Sequence, residues 1–175
     1  MDIVSPATRS RMMAGIRSAN TRPEIIVRSI LHTQGFRYRL GTKVLNIVPD
    51  IVLPKYKVAI FVHGCFWHRH EGCKYATTPK THTEKWAHKF DANTLRDSQT
   101  VKTLTDAGWR LVAIWECWTK RKLDISWLYS WIKMSDCPYI FWPETDDFIL
   151  HNVLPTLDKC DNTEAKPKCS SSDLI

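Results

Sequence analysis

Three histidines and two cysteines stand close together, directly after an apolar run that is typical of a β-strand. Cys65, His70 and Cys73 have the residue types and the close spacing of zinc ligands. His63 and His68 are then left for another task. A metal site with spare histidines beside it indicates chemistry, because imidazole titrates near neutral pH.

A structural zinc ion needs a fourth protein ligand, and Cys117 is the best candidate. It follows the apolar stretch 109–115, which is predicted to be a buried strand whose end faces a loop from a neighbouring strand. Two alternatives stay open: the cysteines could be independent buried thiols, and His68 could compete with His70 as a ligand. Four protein ligands would make the zinc structural, so that it fixes the loop without activating water.

Asp50 indicates a second cation. Pro49-Asp50 opens a predicted strand hairpin whose returning strand ends at His63, so the carboxylate and this imidazole can lie close together. One carboxylate and a main-chain carbonyl form a typical partial cage for Mg²⁺. An Asp after Pro is often only a turn residue, but the neighbouring His63 and His68 favour catalysis, in which one imidazole deprotonates water and the other donates to a phosphoryl oxygen.

The length and the charge of the chain indicate how many domains it forms and what kind of partner it binds. A chain of 175 residues with 43% hydrophobic content can fold as one domain. The net charge is +7, with −4 in residues 144–175 and therefore +11 in residues 1–143. Concentrated positive charge with many aromatic residues favours a nucleic-acid partner, although a basic chain can also merely be more soluble.

The chain contains no apolar run of membrane-spanning length and no signal-peptide pattern, so we expect a cytoplasmic protein. In a reducing compartment the cysteines are expected to be metal ligands or free thiols instead of a disulfide framework. Cys137, Cys160 and Cys169 are expected to lie outside the metal site.

Residues 1–22 are predicted to form a basic DNA-binding arm, because they hold several arginines, including Arg9 and Arg11, and few large apolar residues. Met12 and Met13 could act as apolar wedges in DNA. A frayed terminus is the alternative. Residues 23–143 then form the catalytic domain, and residues 144–175 form an acidic, flexible tail.

Several elements are predicted to carry the site. Thr21 and Glu24 form a capping box that opens a helix ending at Gly35. Strands are predicted at 36–40, 47–53 and 56–62, the last two joined through Pro54-Lys55. Thr81 and Glu84 predict a second capping box, which opens another helix. A kink is expected between this helix and a further helical stretch from Asn93 to Gly108. Asp124 is expected to cap a last helix, which contains Trp127 and Trp131.

These residues together resemble the very short patch repair (Vsr) endonucleases, which nick DNA at T·G mismatches left by deamination of 5-methylcytosine. The stretches that carry the resemblance are Ala7-Thr8-Arg9-Ser10, Met13, Asn20-Thr21-Arg22-Pro23-Glu24, Pro49-Asp50, His63-Gly64-Cys65-Phe66-Trp67-His68-Arg69-His70, Cys73, Trp86, Asn93, Arg96-Asp97, Gly108-Trp109 and Trp115-Glu116-Cys117. Beyond Trp118 the resemblance fades.

The resemblance implies an α/β, restriction-endonuclease-like fold with a central mixed sheet flanked by helices. It implies that Asp50 and the main-chain carbonyl of Val62 hold a catalytic Mg²⁺, with Glu24 reaching the waters of that ion. His68 would be the general base, Asp97 would orient it and His63 would contact the scissile phosphate. The structural zinc would be held by Cys65, His70, Cys73 and Cys117.

The same resemblance assigns Phe66, Trp67 and Trp86 to an aromatic wedge beside the mismatch, with the arm and Met13 in the minor groove. A T·G pair is poorly stacked, so opening it costs less than opening a matched pair. A monomer working beside a cytosine-5 methyltransferase and a MutL-type repair protein is implied. A restriction or defence nuclease for matched or modified DNA, and a non-catalytic zinc-stabilised DNA-binding module, are the alternatives.

Overall fold

A computed structural model describes residues 5, 7–8, 11, 15 and 19–143 of the chain. Its centre is a four-stranded sheet in the order β1 (Ile51–Leu53), β2 (Val58–His63), β3 (Arg110–Trp115) and β4 (Tyr139–Trp142). The first pair is antiparallel and the other two pairs are parallel. The predicted α/β class with a central mixed sheet is confirmed.

Helices cover both faces of this sheet. One face packs against Val27 and Leu31 of helix α1 (Arg22–Thr33), and the other against Val101 and Leu104 of helix α2 (Thr83–Asp106). The strands are therefore buried on both sides, which is why β3 is an uninterrupted apolar run.

The first helix begins as predicted. Thr21 is its N-cap, and both hydrogen bonds of the capping box with Glu24 are present. The chain leaves the helix through Gly35, whose φ of +81° is a left-handed conformation that favours glycine.

The structure corrects the first two of the three strands that were predicted between residues 36 and 62. Residues 36–40 contribute only one isolated bridge, from Arg39 to Val52. Their exposure does not alternate to the end as in a half-buried strand: Phe36 is buried in the core, but Leu40 is 47% exposed. The strand predicted at 47–53 begins only at Ile51, since Pro49 has no N–H to give to a ladder.

The hairpin itself is confirmed. A single 3₁₀ turn, Pro54–Tyr56, joins β1 to β2 and ends at Lys57 with a φ of +48°. The register places Ile51 opposite Ile60, so β2 runs back past Asp50 and delivers His63 at its last position.

The two helices predicted between 81 and 108 are one continuous helix of 24 residues, α2. Nothing in its interior is Gly or Pro, so no residue forces the expected kink. The second capping box is also wrong, since the N-cap is His82 and makes no side-chain capping bond. The helix is followed by Gly108 at a φ of +70°, where its end was predicted.

After β3 come two short helices, α3 (Cys117–Arg121) and α4 (Trp127–Met134). The cap prediction at Asp124 is off by two residues: Ser126 is the N-cap of α4, and Asp124 accepts hydrogen bonds from its N–H (2.9 Å) and its hydroxyl (2.5 Å). The sequence pattern does not predict strand β4, because Pro138 and Pro143 bracket its four residues and interrupt the pattern. Cys137 is buried and disulfide-bonded, which corrects the expectation of free thiols there.

The predicted tail, residues 144–175, and most of the predicted arm, including Arg9, Met12 and Met13, lie outside the described residues. Among the residues that the structure does describe, no helix is both long enough and apolar enough to cross a membrane.

Candidate active site and metal centre

The functional residues gather where β2 and β3 end. These strands are parallel and His63 pairs with Trp115, so the loop after β2 and the residues after β3 leave from the same edge. The N–H of Glu116 donates to the carbonyl of His63 at 2.8 Å, and its carboxylate accepts from the N–H of Cys65 at 3.3 Å. Glu116 thus ties the start of the loop to the end of β3.

The four predicted zinc ligands come together. The sulfurs of Cys65, Cys73 and Cys117 and a ring nitrogen of His70 all lie within 4.8 Å of one another. Nδ1 of His70 is 3.5 Å from the sulfur of Cys65 and 3.5 Å from that of Cys117, which stands 47 residues away in sequence. The cluster could therefore hold a tetrahedral zinc ion.

The chemistry of this cluster fits a cation. Burial, reinforced by Cys117, raises the pKa of the Cys65 thiol, and burial likewise raises the pKa of Cys117. Burial also lowers the pKa of His70 to about 4, against the opposing effect of the Pro143 backbone. The imidazole is thus neutral, as a ligand must be, and a bound cation would stabilise the crowded thiolates.

Stacking fixes the orientation of the histidine ligand. The ring of His70 lies on the indole of Trp115 with centroids 4.2 Å apart and planes 6° from parallel. His70 is only 2% exposed. The ring is therefore held in place by packing before any ion binds, which reduces the entropy lost on coordination.

Asp50 lies at the open edge of the hairpin. Its Oδ2 accepts a hydrogen bond from the N–H of Val62 at 2.7 Å. Burial raises the pKa of Asp50, and the nearby carboxylate of Glu24 adds to this, while Val62, Arg28 and His68 act in the opposite direction. A carboxylate whose charge is disfavoured by its surroundings is a site that a cation would stabilise.

The carbonyl of Val62 is the second oxygen at this place. Continuing the β1–β2 register by two residues puts Pro49 opposite Val62. Since proline has no N–H, it cannot donate to that carbonyl. An aspartate carboxylate and a main-chain carbonyl without a ladder donor are oxygen ligands of the kind that Mg²⁺ takes in proteins, so these residues fit the ion.

Glu24 is near Asp50 but fully engaged. It is 3% exposed, and its two oxygens accept from the hydroxyl of Thr21 (2.7 Å), the N–H of Asn20 (3.0 Å) and the guanidinium of Arg28 (2.7 Å). Its capping function is therefore present in the structure. A further task at metal-bound water stays a prediction.

His68 and Asp97 form a histidine–carboxylate pair. Nδ1 of His68 lies 2.5 Å from Oδ2 of Asp97, which helix α2 carries. Each side chain is 21% exposed. Because the carboxylate can only accept when ionised, it holds the imidazole as the Nδ1–H tautomer and leaves Nε2 with its lone pair.

His63 is stacked on His68. The two ring centroids are 4.0 Å apart and the planes are 5° from parallel. Burial, and to a smaller extent the charge of His68, lowers the pKa of His63 to about 3. His63 is therefore neutral at physiological pH, and its buried Nδ1 has no hydrogen-bond partner among the described residues.

The nitrogens of His63 and His68 and a carboxylate oxygen of Asp97 also lie within 4.8 Å of one another. This proximity is better explained by the hydrogen bond than by a metal site. Lone pairs of stacked imidazoles lie in parallel planes and do not converge on one ion, whereas metal ligands must converge. The geometry is that of an imidazole oriented by a carboxylate.

An aromatic cluster stands beside this pair. The ring of Phe66 makes edge contacts with Trp67 (5.1 Å), Trp86 (5.3 Å) and Phe90 (5.3 Å). The first three rings are partly exposed, while Phe90 is buried. Nζ of Lys89 lies 4.7 Å from the centre of the Trp67 ring. The predicted wedge residues are thus brought together at a surface, on a buried aromatic base.

Two positioning residues have no role in the sequence-based prediction, although both belong to the matching stretches. The amide of Asn93 donates to the carbonyl of Trp67 at 2.8 Å and holds the aromatic loop against α2. Glu116 anchors the other end of the loop, as described above. Their contacts are long-range, so the chain pattern carried no signal of them beyond their presence in the resemblance.

Fold and site together define an α/β protein with a Cys/His cluster that could hold a metal ion and a histidine–carboxylate pair of the kind that hydrolases use. The family model described as DNA mismatch endonuclease Vsr matches residues 1–74. The chain belongs to this family of DNA endonucleases.

Curated relatives extend the match. The type II nicking enzyme V.XorIIP of Xanthomonas oryzae is 46% identical over 116 residues, which cover 66% of this chain and 85% of the relative. V.NmeAIP of Neisseria meningitidis, also a type II nicking enzyme, is 42% identical over 69% of this chain and 86% of its own length. The DNA mismatch endonuclease Vsr of Escherichia coli is 39% identical over 66% of this chain and 74% of its own length.

Proposed function

We propose that this endonuclease uses Mg²⁺ to nick one DNA strand on the 5′ side of the T in a T·G mismatch left by deamination of 5-methylcytosine. The observation that carries the proposal is the His68–Asp97 pair, stacked on His63 and close enough to Asp50 for the charge of His68 to act on it. The family name and the name of its Escherichia coli member support the mismatch as substrate.

Asp50 and the carbonyl of Val62 would hold the Mg²⁺. When bound, this ion would act as a Lewis acid on the scissile phosphate and neutralise its growing charge. Without the ion, the buried carboxylate of Asp50 would repel the phosphate, so substrate and cation are expected to bind together.

His68 would act as the general base. Its Nε2 lone pair takes the proton of the attacking water, and the charge that appears on the ring is stabilised by Asp97 on the opposite nitrogen. Asp97 keeps the ring in one tautomer. Attack of the deprotonated water on phosphorus breaks the bond to the 3′ oxygen of the preceding nucleotide. This oxygen leaves as an alkoxide and takes a proton from solvent water, so that a 5′-phosphate and a 3′-hydroxyl remain.

His63 would contact the phosphate as a neutral donor. Since burial keeps it uncharged at neutral pH, it does not repel the proton that His68 accepts. The stack thus allows two imidazoles to lie side by side with only one of them charged.

The aromatic cluster would select the mismatch. Phe66, Trp67 and Trp86 offer faces on which bases can stack, which is worth about 1 to 3 kcal/mol per base. This offsets an unstacking cost that is smaller at a T·G wobble than at a matched pair. The basic arm, residues 1–22, would lie in the minor groove. A MutL-type protein and a cytosine-5 methyltransferase remain predicted partners.

The test compares one duplex containing a T·G pair with its fully matched form and its 5-methylcytosine form, each labelled on one strand. We expect Mg²⁺-dependent nicking of the T strand of the mismatched duplex alone. Equal nicking of matched DNA would favour the restriction or defence nuclease instead. Binding without nicking in Mg²⁺ or Mn²⁺ would favour a non-catalytic DNA-binding module.

The metal part of the mechanism has its own variant. Asp50→Ala should abolish nicking while zinc content and DNA binding persist, because Asp50 belongs to the second cation only. Full Mg²⁺-dependent nicking by this variant would contradict the mechanism.

A further inference from the structure

A small hairpin lies immediately before Asp50 and strand β1. The N–H of Val44 donates to the carbonyl of Ile47 at 2.8 Å, and the N–H of Ile47 donates back at 2.9 Å. These bonds close a two-residue turn at Leu45 and Asn46. Val44 is 7% exposed and packs into the core beside Val52, so the base of the turn is anchored.

The turn residues have an unfavourable fit at one position. Leu45 has a φ of +50° and Asn46 a φ of +65°, a combination that favours Asn, Asp or Gly at both positions. Asn46 suits this backbone, but Leu45 is strained in it. Leu45 is also 52% exposed, so burial within the chain does not offset the strain. A strained residue with an exposed apolar side chain indicates a function outside the fold.

The chain segment that carries the turn is basic and apolar. No acidic residue occurs between Glu24 and Asp50. Arg39 and Lys43 are exposed, and Val48 is 53% exposed. A surface that combines cations with aliphatic side chains complements a nucleic-acid groove, whose walls are phosphates and whose floor is apolar base edges.

The turn can reach that groove. Asn46 and Asp50 are four residues apart, which limits their separation to about 14 Å. A phosphate bound at Asp50 lies on the edge of a DNA groove. Because the minor groove of B-DNA is only about 6 Å wide, a side chain that reaches the phosphate also reaches the interior of that groove. We infer that Leu45 enters the groove beside the scissile phosphate as an apolar wedge, while Arg39 and Lys43 bind the flanking backbone. The inference rests on the proposed function, because it places the scissile phosphate at Asp50.

The test uses Leu45→Asn, with Met134→Ala as control. Met134 is 73% exposed on α4 and is not part of the site. Equilibrium binding to a T·G duplex is measured with Ca²⁺ in place of Mg²⁺, so that a divalent cation is present while nicking is suppressed. Thermal unfolding is measured without DNA. Leu45→Asn should raise Tm, because Asn tolerates positive φ, and should weaken binding about tenfold, because the apolar contact is lost. Met134→Ala should leave binding unchanged.

Further variants separate the apolar contact of Leu45 from the charge of Lys43. Leu45→Gly should reproduce both changes of Leu45→Asn, whereas Leu45→Met should keep the affinity. Lys43→Ala should lower the slope of log affinity against log salt by about one, and Leu45→Asn should leave that slope unchanged. Equal affinity of Leu45→Asn and the unmodified protein overturns the inference, whatever the nicking rate. A protein that binds but never nicks would contradict the proposed function alone.

Discussion

Asp97 lies 2.5 Å from Nδ1 of His68, although the two residues are 29 positions apart. The loop after β2 carries the imidazole, and helix α2 carries the carboxylate. The contact leaves one ring nitrogen for chemistry and places a negative charge behind the other. The first prediction concerns this pair.

Asp97→Asn should lower kcat for nicking about 10²- to 10⁴-fold with little change in DNA affinity, since the amide can no longer stabilise a charged imidazole. Asp91→Asn is the matched control, because it removes the same charge from an exposed position of α2. Single-turnover nicking and equilibrium binding are measured separately. A loss of binding that explains the whole loss of nicking would contradict the assignment.

Asp50→Asn should separate stability from activity. The folded protein raises the pKa of Asp50 above its ordinary 3.8, so in the pH interval above 3.8 the folded chain binds more protons than the unfolded chain. The carboxylate therefore costs stability at neutral pH but not at a pH below 3.8.

In the absence of divalent ions, the variant should melt at a higher temperature than the unmodified protein at pH 7, and the difference should shrink toward pH 4. Nicking should fall at least about 10²- to 10³-fold. Added Mg²⁺ should stabilise the unmodified protein and not the variant. If the variant were less stable than the unmodified protein at pH 7, the ionised carboxylate of Asp50 would not destabilise the folded state, and the prediction would be wrong.

His63 should make the folded protein acid-sensitive. Its pKa is about 3 when folded and 6.5 ordinarily, so between these values only the unfolded chain takes up the proton. Stability is thus complete above pH 6.5 and falls as the pH is lowered toward 3, by up to about 1.4 kcal/mol per pH unit.

His63→Asn should reduce this slope by about one proton in denaturant unfolding between pH 4 and 6. His88→Asn, at an exposed position of α2, should not. The measurement is made on zinc-loaded protein, because burial also lowers the pKa of His70. An unchanged slope for His63→Asn would mean that His63 is not held neutral by the fold.

The zinc cluster should contribute to folding. The purified protein should contain about one zinc per chain, measured by elemental analysis. Cys117→Ser should lose the ion and unfold at a lower temperature, because the thiolates that it joins are buried and crowded.

His88→Asn serves as control for the zinc measurement, since it removes an exposed imidazole of α2. A chelator should lower Tm of the unmodified protein to that of Cys117→Ser. Full zinc content in Cys117→Ser would exclude this residue as the fourth ligand.

The sequence predicted well the elements whose signals lie in neighbouring residues. The capping box of Thr21 and Glu24 opens α1, and Pro54 begins the turn between β1 and β2. The strand at 36–40 and the break within α2 were wrong, because alternation and polar residues do not by themselves decide pairing or helix continuity. Strand β4 was missed, since only the edge of β3 makes its four residues a strand.

The sequence alone determined which side chains can bind metal and move protons, because ligand chemistry is fixed by residue type and close spacing, as from Cys65 to Cys73. Tertiary structure alone decided the distances: Cys117 beside His70, Asp97 beside His68, and the N–H of Val62 bonded to Asp50. These contacts depend on the parallel pairing of β2 with β3 and on the packing of α2 across the sheet. No local pattern encodes them, since they are set by how the whole chain buries its apolar residues.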